Sequence, residues 1–280
     1  MTRRQLYEQL VATAEPIYGT GEAQQIARMI VEELWGVSRI EMIANPDVEV
    51  DTTELERVTR ELAASRPVQY IIGEADFCDF RLRVREGVLI PRPESEELIR
   101  WVVSESHDSV QRIVDVGTGS GALAIALSRK IEGAEVTAID ISQTAIEIAR
   151  ENIAQLAPDV AIVEGDALRG IEAVVEARVD IIISNPPYIP RSEIEQMRDN
   201  VVLHEPHVAL FVEDSDPLIF YREIAKSGLK LLRSGGRLYF EIHENFATEC
   251  RDMLSQMGYT DVRIRLDIND KARMVCAQKE

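Results

Sequence analysis

The sequence is poor in positive charge, in cysteine and in long apolar runs. Its 280 residues hold 31 lysines and arginines against 49 aspartates and glutamates, a formal net charge of −18. A protein that grips nucleic acid mainly through phosphates needs a basic face, which this balance argues against. An acidic excess also serves plain solubility, so the charge alone names no function. Cys78, Cys250 and Cys276 are odd in number, widely spaced and outside any CxxC pattern. They are expected to be reduced structural thiols, not a disulfide framework or a metal site. Glu8 and Glu15 interrupt the opening stretch, so no secretory leader is expected. No segment approaches the roughly 20 apolar residues of a membrane-spanning helix. The expectation is a cytoplasmic protein with no membrane, no metal and no direct nucleic-acid partner.

What is present is globular: 45% of residues are hydrophobic and 29% charged, which excludes disordered and fibrous classes. The length suits a large domain with a smaller one. Ile26, Met29, Ile30 and Leu34 recur at helical spacing before a stop at Gly36. Thr53 and Glu56 fit a capping box ahead of a helix carrying Leu55, Val58 and Leu62. Asn45-Pro46-Asp47 separates the two. Residues 1–73 are therefore expected to form a small helical bundle that binds a partner.

The period then changes to two. Phe80, Leu82 and Val84 alternate with arginines, Glu86-Gly87 offers a turn, and Val88-Leu89-Ile90 follows. This predicts a β-hairpin linker over 74–92. A helix is expected from Glu94 to Val103. From there to the end, 93–280, short unalternating apolar strands and helices take turns: Ile113–Val116, Val136–Ile139, Ala161–Val163, Ile181–Ile183 and Leu238–Phe240 read as buried strands. Ala122–Ile131 reads as a helix, Ser142 caps another, and the helix before Leu238 should end at Gly235-Gly236. Right-handed crossovers give a doubly wound α/β fold. Val262–Leu266 and Met274–Ala277 are too close for a crossover, so the last strand should be antiparallel.

Three stretches carry chemistry. Asp115-Val116-Gly117-Thr118-Gly119-Ser120-Gly121 lies between a strand and a helix, where glycines allow tight turning and leave backbone N–H groups open to a ligand. Asp140 closes the next strand, where a carboxylate can accept both hydroxyls of a ribose. The G-x-G-x-G spacing differs from the dinucleotide fingerprint and requires no pyrophosphate. Asp166, with Ala167, ends the third strand at the same sheet edge and can accept from an adenine amino group. Asn185-Pro186-Pro187-Tyr188 follows the strand Ile181–Ile183. The Asn185 side-chain oxygen and the Pro186 carbonyl can accept both hydrogens of a planar NH2 group, Pro187 stiffens the turn, and Tyr188 offers a ring face. This combination selects an amide or an exocyclic amine.

The glycine loop, Asp140 and Asn185-Pro186-Pro187-Tyr188 together resemble class I S-adenosylmethionine-dependent methyltransferases acting on planar amino groups. Pro67-Val68-Gln69-Tyr70-Ile71-Ile72-Gly73, Phe77, Val88-Leu89-Ile90-Pro91-Arg92-Pro93-Glu94 and Glu205-Pro206 with Ala209-Leu210 narrow the likeness. In that order they are similar to the peptide chain release factor N5-glutamine methyltransferases. The resemblance implies a seven-strand Rossmann-like domain after the helical bundle and hairpin. It implies S-adenosyl-L-methionine as cofactor and the Gly-Gly-Gln glutamine of bacterial class 1 release factors as substrate. Carried onto this chain, Gly117, Thr118, Gly119, Ser120 and Gly121 wrap the methionine part, Asp140 holds the ribose, Asp166 and Ala167 border the adenine, and Asn185, Pro186, Pro187 and Tyr188 grip the glutamine amide. The Ile90–Glu94 segment is expected over the cofactor cleft.

Two other readings compete. An adenine-N6 or other nucleic-acid amino-methyltransferase uses a similar tetrapeptide but needs phosphate contacts. Here Glu193, Glu195, Asp199, Glu205, Glu213, Asp214 and Asp216 outnumber Arg191 and Arg198 after the motif. The other reading is a cofactor-binding adaptor without catalysis, which the intact tetrapeptide disfavours.

Overall fold

A computed structural model describes residues 1–106, 111–175 and 178–280. The chain divides into two compact units, one of Met1–Glu74 with Met197–His204, the other of Ala75–Gln196 with Glu205–Glu280.

The first unit is helical: α1 (Arg3–Tyr18), α2 (Thr20–Trp35), α3 (Arg39–Ala44), α4 (Leu55–Ala63) and α5 (Val68–Ile72). Capping boxes at Thr2/Gln5 and Ser38/Glu41 start α1 and α3, satisfying backbone donors that a helix start leaves open. Gly36 ends α2 in the left-handed conformation at φ 63°, as expected of a helix terminator. Leu6, Leu10, Ile26, Ala27, Ile30, Val58 and Leu62 form the core of this unit. Two expectations change. The Thr53/Glu56 box does not form: Glu54 takes the cap position without a side-chain bond, because the Thr53 hydroxyl donates to Asp51 at 2.7 Å instead. Met29 is 41% exposed, since it sits at the margin of the α2 apolar face rather than on its centre.

The second unit begins with a hairpin, β1 (Glu74–Phe77) and β2 (Phe80–Arg83), followed by α6 (Pro93–Glu105). The hairpin turns at Cys78-Asp79, earlier than the sequence suggests. The inward alternation of Phe80 and Leu82 is as read, but their partner strand is the preceding one, which alternates in the same way through Ala75 and Phe77. Val88–Ile90 forms no strand; Val88 and Leu89 become part of a cleft wall.

Next come β3 (Arg112–Val116), α7 (Ala122–Lys130), β4 (Glu135–Asp140), α8 (Gln143–Leu156), β5 (Ala161–Glu164), β6 (Val179–Ser184) and the short β7 (Ile189–Pro190). The helical turn α9 (Asp199–Val202) lies in the segment grouped with the first unit. Then follow α10 (His207–Leu210), β8 (Phe211–Val212), α11 (Ile219–Leu231), β9 (Leu232–Glu241), α12 (Ala247–Gln256), β10 (Tyr259–Leu266) and β11 (Ala272–Lys279). The seven-stranded sheet runs β10-β11-β9-β6-β3-β4-β5. Strands β9, β6, β3, β4 and β5 are mutually parallel, and β11 runs antiparallel to both neighbours. One face is sealed by α11 and α12 through Tyr221, Ile224, Cys250 and Leu254 against Val114, Ile182, Leu238 and Val275. On the other, α6, α7 and α8 pack, with Trp101 edge-on to Tyr239 at 5.7 Å.

Central β6 is buried throughout, as its apolar run demands. The β5 strand is less buried than its sequence suggests, with Ala161 and Glu164 exposed, because it forms the sheet edge. The helix before β9 stops at Leu231, not at the glycines, and the strand runs through them. Gly236 is needed there for a close approach: a Cβ would stand 2.9 Å from the Arg233 carbonyl and 3.1 Å from that of Asp180.

Candidate active site

The carboxyl ends of β3, β4, β5 and β6 open onto one cleft of about 240 Å³, where open α/β sheets bind ligands. Between β3 and α7, Gly117, Gly119 and Gly121 all take positive φ. A Cβ on Gly117 or Gly119 would meet nothing within 4 Å, so these glycines leave open space above a bare backbone. The Gly117 and Thr118 N–H groups donate to the Ile139 carbonyl at 2.8 and 3.0 Å, pinning the loop to β4. Ser184 at the end of β6 donates its hydroxyl to the Val116 carbonyl at 2.6 Å, which ties β6 to β3.

Asp140 accepts from the Gly119 N–H through Oδ2 and from the Ser142 N–H through Oδ1, both at 2.9 Å. Burial raises its pKa, against the lowering effect of those bonds. Beneath the loop, Asp115 is fully buried. Its Oδ2 accepts from the Thr118 hydroxyl at 2.6 Å and the Ala124 N–H at 3.2 Å, while Oδ1 has no partner. Burial pushes its pKa up to about 7. Asp166 accepts from the Leu168 N–H at 2.8 Å and starts the short turn that places Ala167 and Leu168 on the wall.

The opposite wall is built from the tetrapeptide and the segment before α6. Asn185, Pro186 and Pro187 line the cleft, as do Val88, Leu89, Pro91, Arg92 and Ser95. The Asn185 Nδ2 donates to the Ser95 Oγ at 3.2 Å, Ser95 donates to Glu241 Oε2 at 2.6 Å, and the Tyr188 hydroxyl donates to Glu241 Oε1 at 2.9 Å. Glu241 is 1% exposed, and burial raises its pKa. Glu205, also buried, accepts from the Ile90 N–H at 3.0 Å and from the Arg92 guanidinium. This joins two motif segments whose bonded residues stand 115 positions apart in the sequence.

The cleft thus gathers Gly117, Thr118, Gly119, Ser120, Asp140, Asp166, Ala167, Asn185, Pro186 and Pro187. Two expected site residues stand off the wall. Gly121 serves the approach of α7 to its neighbour, a Cβ there lying 3.3 Å from Ile125 Cδ1 and 3.6 Å from Ala149 Cβ. Tyr188 is tucked behind the wall, edge-on to His243 with 6.0 Å between ring centroids, and its hydroxyl is committed to Glu241. Sequence reasoning missed Ser95 and Glu241. Glu241 was findable: it ends a parallel strand beside β6, the same signal that singled out Asp140. The acidic rim is also thinner than the count of carboxylates implies. Glu205 faces inward, while Arg191 and Arg198 are engaged by Glu213 and Glu22.

Residues 6–73 match the model of the PrmC N-terminal domain, and residues 95–210 that of the methyltransferase small domain. The release factor glutamine methyltransferase of Bacteroides thetaiotaomicron is 40% identical over 268 residues, covering 95% of this chain and 96% of that one. The Flavobacterium psychrophilum protein of the same name is 35% identical over 274 residues, 95% of each chain. Among solved structures, a methyltransferase from Pyrococcus furiosus matches 82% of this chain and 99% of its own, with a TM-score of 0.52 at 18% identity. The Thermus thermophilus 16S rRNA N2 G1207 methyltransferase, in complex with AdoMet and guanosine, matches 74% and 50% with a TM-score of 0.53 at 18% identity. These two share the fold.

Proposed function

The chain belongs to the release factor glutamine methyltransferase family, and we infer from this membership that it methylates the side-chain amide nitrogen of a release factor glutamine, using S-adenosylmethionine. We take the substrate to be the glutamine of the Gly-Gly-Gln motif in class 1 factors, methylated in the cytoplasm. The observation that carries the reading is the meeting of the glycine loop, Asp140 and Asn185-Pro186 on one cleft.

The residues present fit the cofactor. Gly117 and Gly119 leave room for its amino-acid part over bare backbone, and the Asp140 carboxylate, held by two backbone N–H groups, is aimed for ribose hydroxyls. Ala167 and Leu168 offer an apolar surface to a flat ring. When bound, S-adenosylmethionine supplies a sulfonium methyl whose C–S electron pair stays on sulfur as the substrate nitrogen takes the carbon.

The chain's own part is orientation. An amide nitrogen is a poor nucleophile because its lone pair is delocalised into the carbonyl. Asn185 Oδ1 and the Pro186 carbonyl accept its two hydrogens, fix the plane of the group and raise its electron density. The departing proton needs no strong base, since an alkylated amide nitrogen is acidic. Positioning and exclusion of water then supply the acceleration, for which intramolecular analogues allow roughly 7–11 kcal/mol.

The helical unit is the proposed holder of the release factor body. A groove of about 760 Å³ between α1, α2 and α3 is lined by Met29, Val31, Met42 and Ile43 together with Arg4, Arg28 and Arg39, against one acid, Glu32. In so acidic a chain, that local reversal of sign suits an acidic partner surface.

The deciding experiment is mass spectrometry of a purified release factor after incubation with the enzyme and S-adenosylmethionine. One methyl on the Gly-Gly-Gln glutamine is expected. Methylation of co-supplied DNA with an untouched release factor would overturn the assignment.

A further inference from the structure

A carboxamide has two nearly identical ends, one accepting and one donating. If Asn185 turned its NH2 toward the cleft, it would meet the NH2 of the substrate donor to donor. The chain must therefore fix which end of Asn185 faces outward. We propose that Ser95 and Glu241 are positioning residues that lock the Asn185 carboxamide with its oxygen toward the substrate; this rests on the reading of Asn185 as an amide acceptor.

Proton counting carries the argument. Burial raises the Glu241 pKa, but the Ser95 and Tyr188 hydroxyls and the Arg273 charge favour its ionised form, and an ionised carboxylate only accepts. Both oxygens of Glu241 receive a hydroxyl proton, from Ser95 at 2.6 Å and from Tyr188 at 2.9 Å. Ser95 has one proton, and Glu241 takes it. Toward Asn185 the Ser95 oxygen can then only accept, so the end of Asn185 at 3.2 Å must be Nδ2. Oδ1 is left for the cleft. The order reads Asn185 to Ser95 to Glu241, each group donating to the next. Ser95 and Glu241 are 4% and 1% exposed, so solvent does not supply a competing partner. Tyr188 acts in the same chain: its hydroxyl fills the second oxygen of Glu241 and helps hold the carboxylate in place.

The elements concerned explain why the lock is firm. Ser95 stands in the first turn of α6, Glu241 closes β9, and Asn185 follows β6. The β6 and β9 ends are in direct register through Ser184 and Phe240. Two regular elements thus fix the partner atoms next to the end of β6, whereas a loop-borne partner would allow the amide to turn.

The test compares Ser95→Ala, Glu241→Gln and Asn185→Ala singly and in pairs, with release factor and S-adenosylmethionine. Ser95→Ala removes the acceptor, and kcat is expected to fall roughly 10- to 100-fold. Glu241→Gln keeps the shape but allows either proton order, so a smaller fall is expected. Affinity for S-adenosylmethionine, read by calorimetry, should stay within about twofold of the parent in both. In the Asn185→Ala background, Ser95→Ala should cost less than about twofold more, because there is no carboxamide left to orient. A merely structural serine would give losses that multiply. The proposal is overturned if Ser95→Ala keeps kcat within twofold, or if its loss persists in full without Asn185. Should Ser95→Ala misfold, Glu241→Gln with unchanged kcat at the parent's melting temperature overturns it equally. A fully active Asn185→Ala sinks the underlying reading of the amide acceptor instead, so the two failures are distinguishable.

Discussion

Asn185 and Asp115 are both polar groups at the ends of buried strands, and their surroundings give them opposite duties. Asn185 faces the cleft with one end tied down. Asn185→Ala is expected to lose most turnover while binding S-adenosylmethionine within a few fold, measured as initial rates beside calorimetry. Asp115 faces no ligand; one of its oxygens steadies the glycine loop and the other is unpartnered. Its pKa of about 7 lies above that of an unfolded aspartate, so between about pH 4 and 7 the folded state holds more proton than the unfolded one. Its contribution to stability is therefore complete below about pH 4 and is lost as pH rises through 7. Asp115→Asn keeps an acceptor for Thr118 and Ala124 but cannot ionise. Its melting temperature relative to the parent should climb from pH 5 and level off above about pH 7. A flat difference would show that the buried carboxyl does not titrate there. Asp140, Asn185, Pro186 and Pro187 could be marked from residue type and strand end, and they line the cleft, whereas Tyr188 does not. Ser95 was not legible: a serine after Pro-Arg-Pro-Glu is indistinguishable from a surface helix start until Glu241, far along the chain, is seen against it.

At the level of elements, the strands of the parallel sheet were readable because burial on both faces writes continuous apolar runs. Pairing was not. The Phe80–Val84 alternation fixes a strand but not which neighbour it joins, and the hairpin closes one segment earlier. The freed segment Val88–Pro93 gains its place from a single buried carboxylate, Glu205, which accepts from Ile90 and pairs with Arg92. Removing Glu205 strands the buried Ile90 N–H, while Arg92, a third exposed, can turn to solvent, at a cost of about 1–3 kcal/mol. Glu205→Ala should lower the melting temperature by several degrees and weaken S-adenosylmethionine binding at temperatures where it is still folded. Unchanged affinity would mean that the wall keeps its form without this anchor. The backbone at Gly236 sets a second such constraint. Gly236→Ala must push the Arg233 or Asp180 carbonyl aside, and a drop in melting temperature is expected with the cleft chemistry otherwise intact.

Across the whole molecule, the net charge of −18 conceals local sorting. Against that acidic background, the α1–α2–α3 groove is lined by three arginines and one acid, Glu32. Arg28→Glu with Arg39→Glu is expected to raise KM for an intact release factor at least severalfold. Methylation of a short Gly-Gly-Gln peptide should be unaffected, and the parent's KM should itself rise with salt. Equal effects on peptide and protein would place the change in the cleft rather than in partner docking.

The stretch Met197–His204 lies between the tetrapeptide and Glu205 in sequence, yet it belongs to the helical unit, where Arg198 pairs with Glu22 and His204 meets the Ala64 carbonyl at 2.9 Å. The helical unit is therefore not a detachable prefix. An exchange of the first 74 residues between relatives would separate it from a piece encoded far downstream, and matched grafts would have to carry both. Any change in the packing of this unit is accordingly bound to co-vary with a segment that interrupts the second unit 12 residues past Asn185.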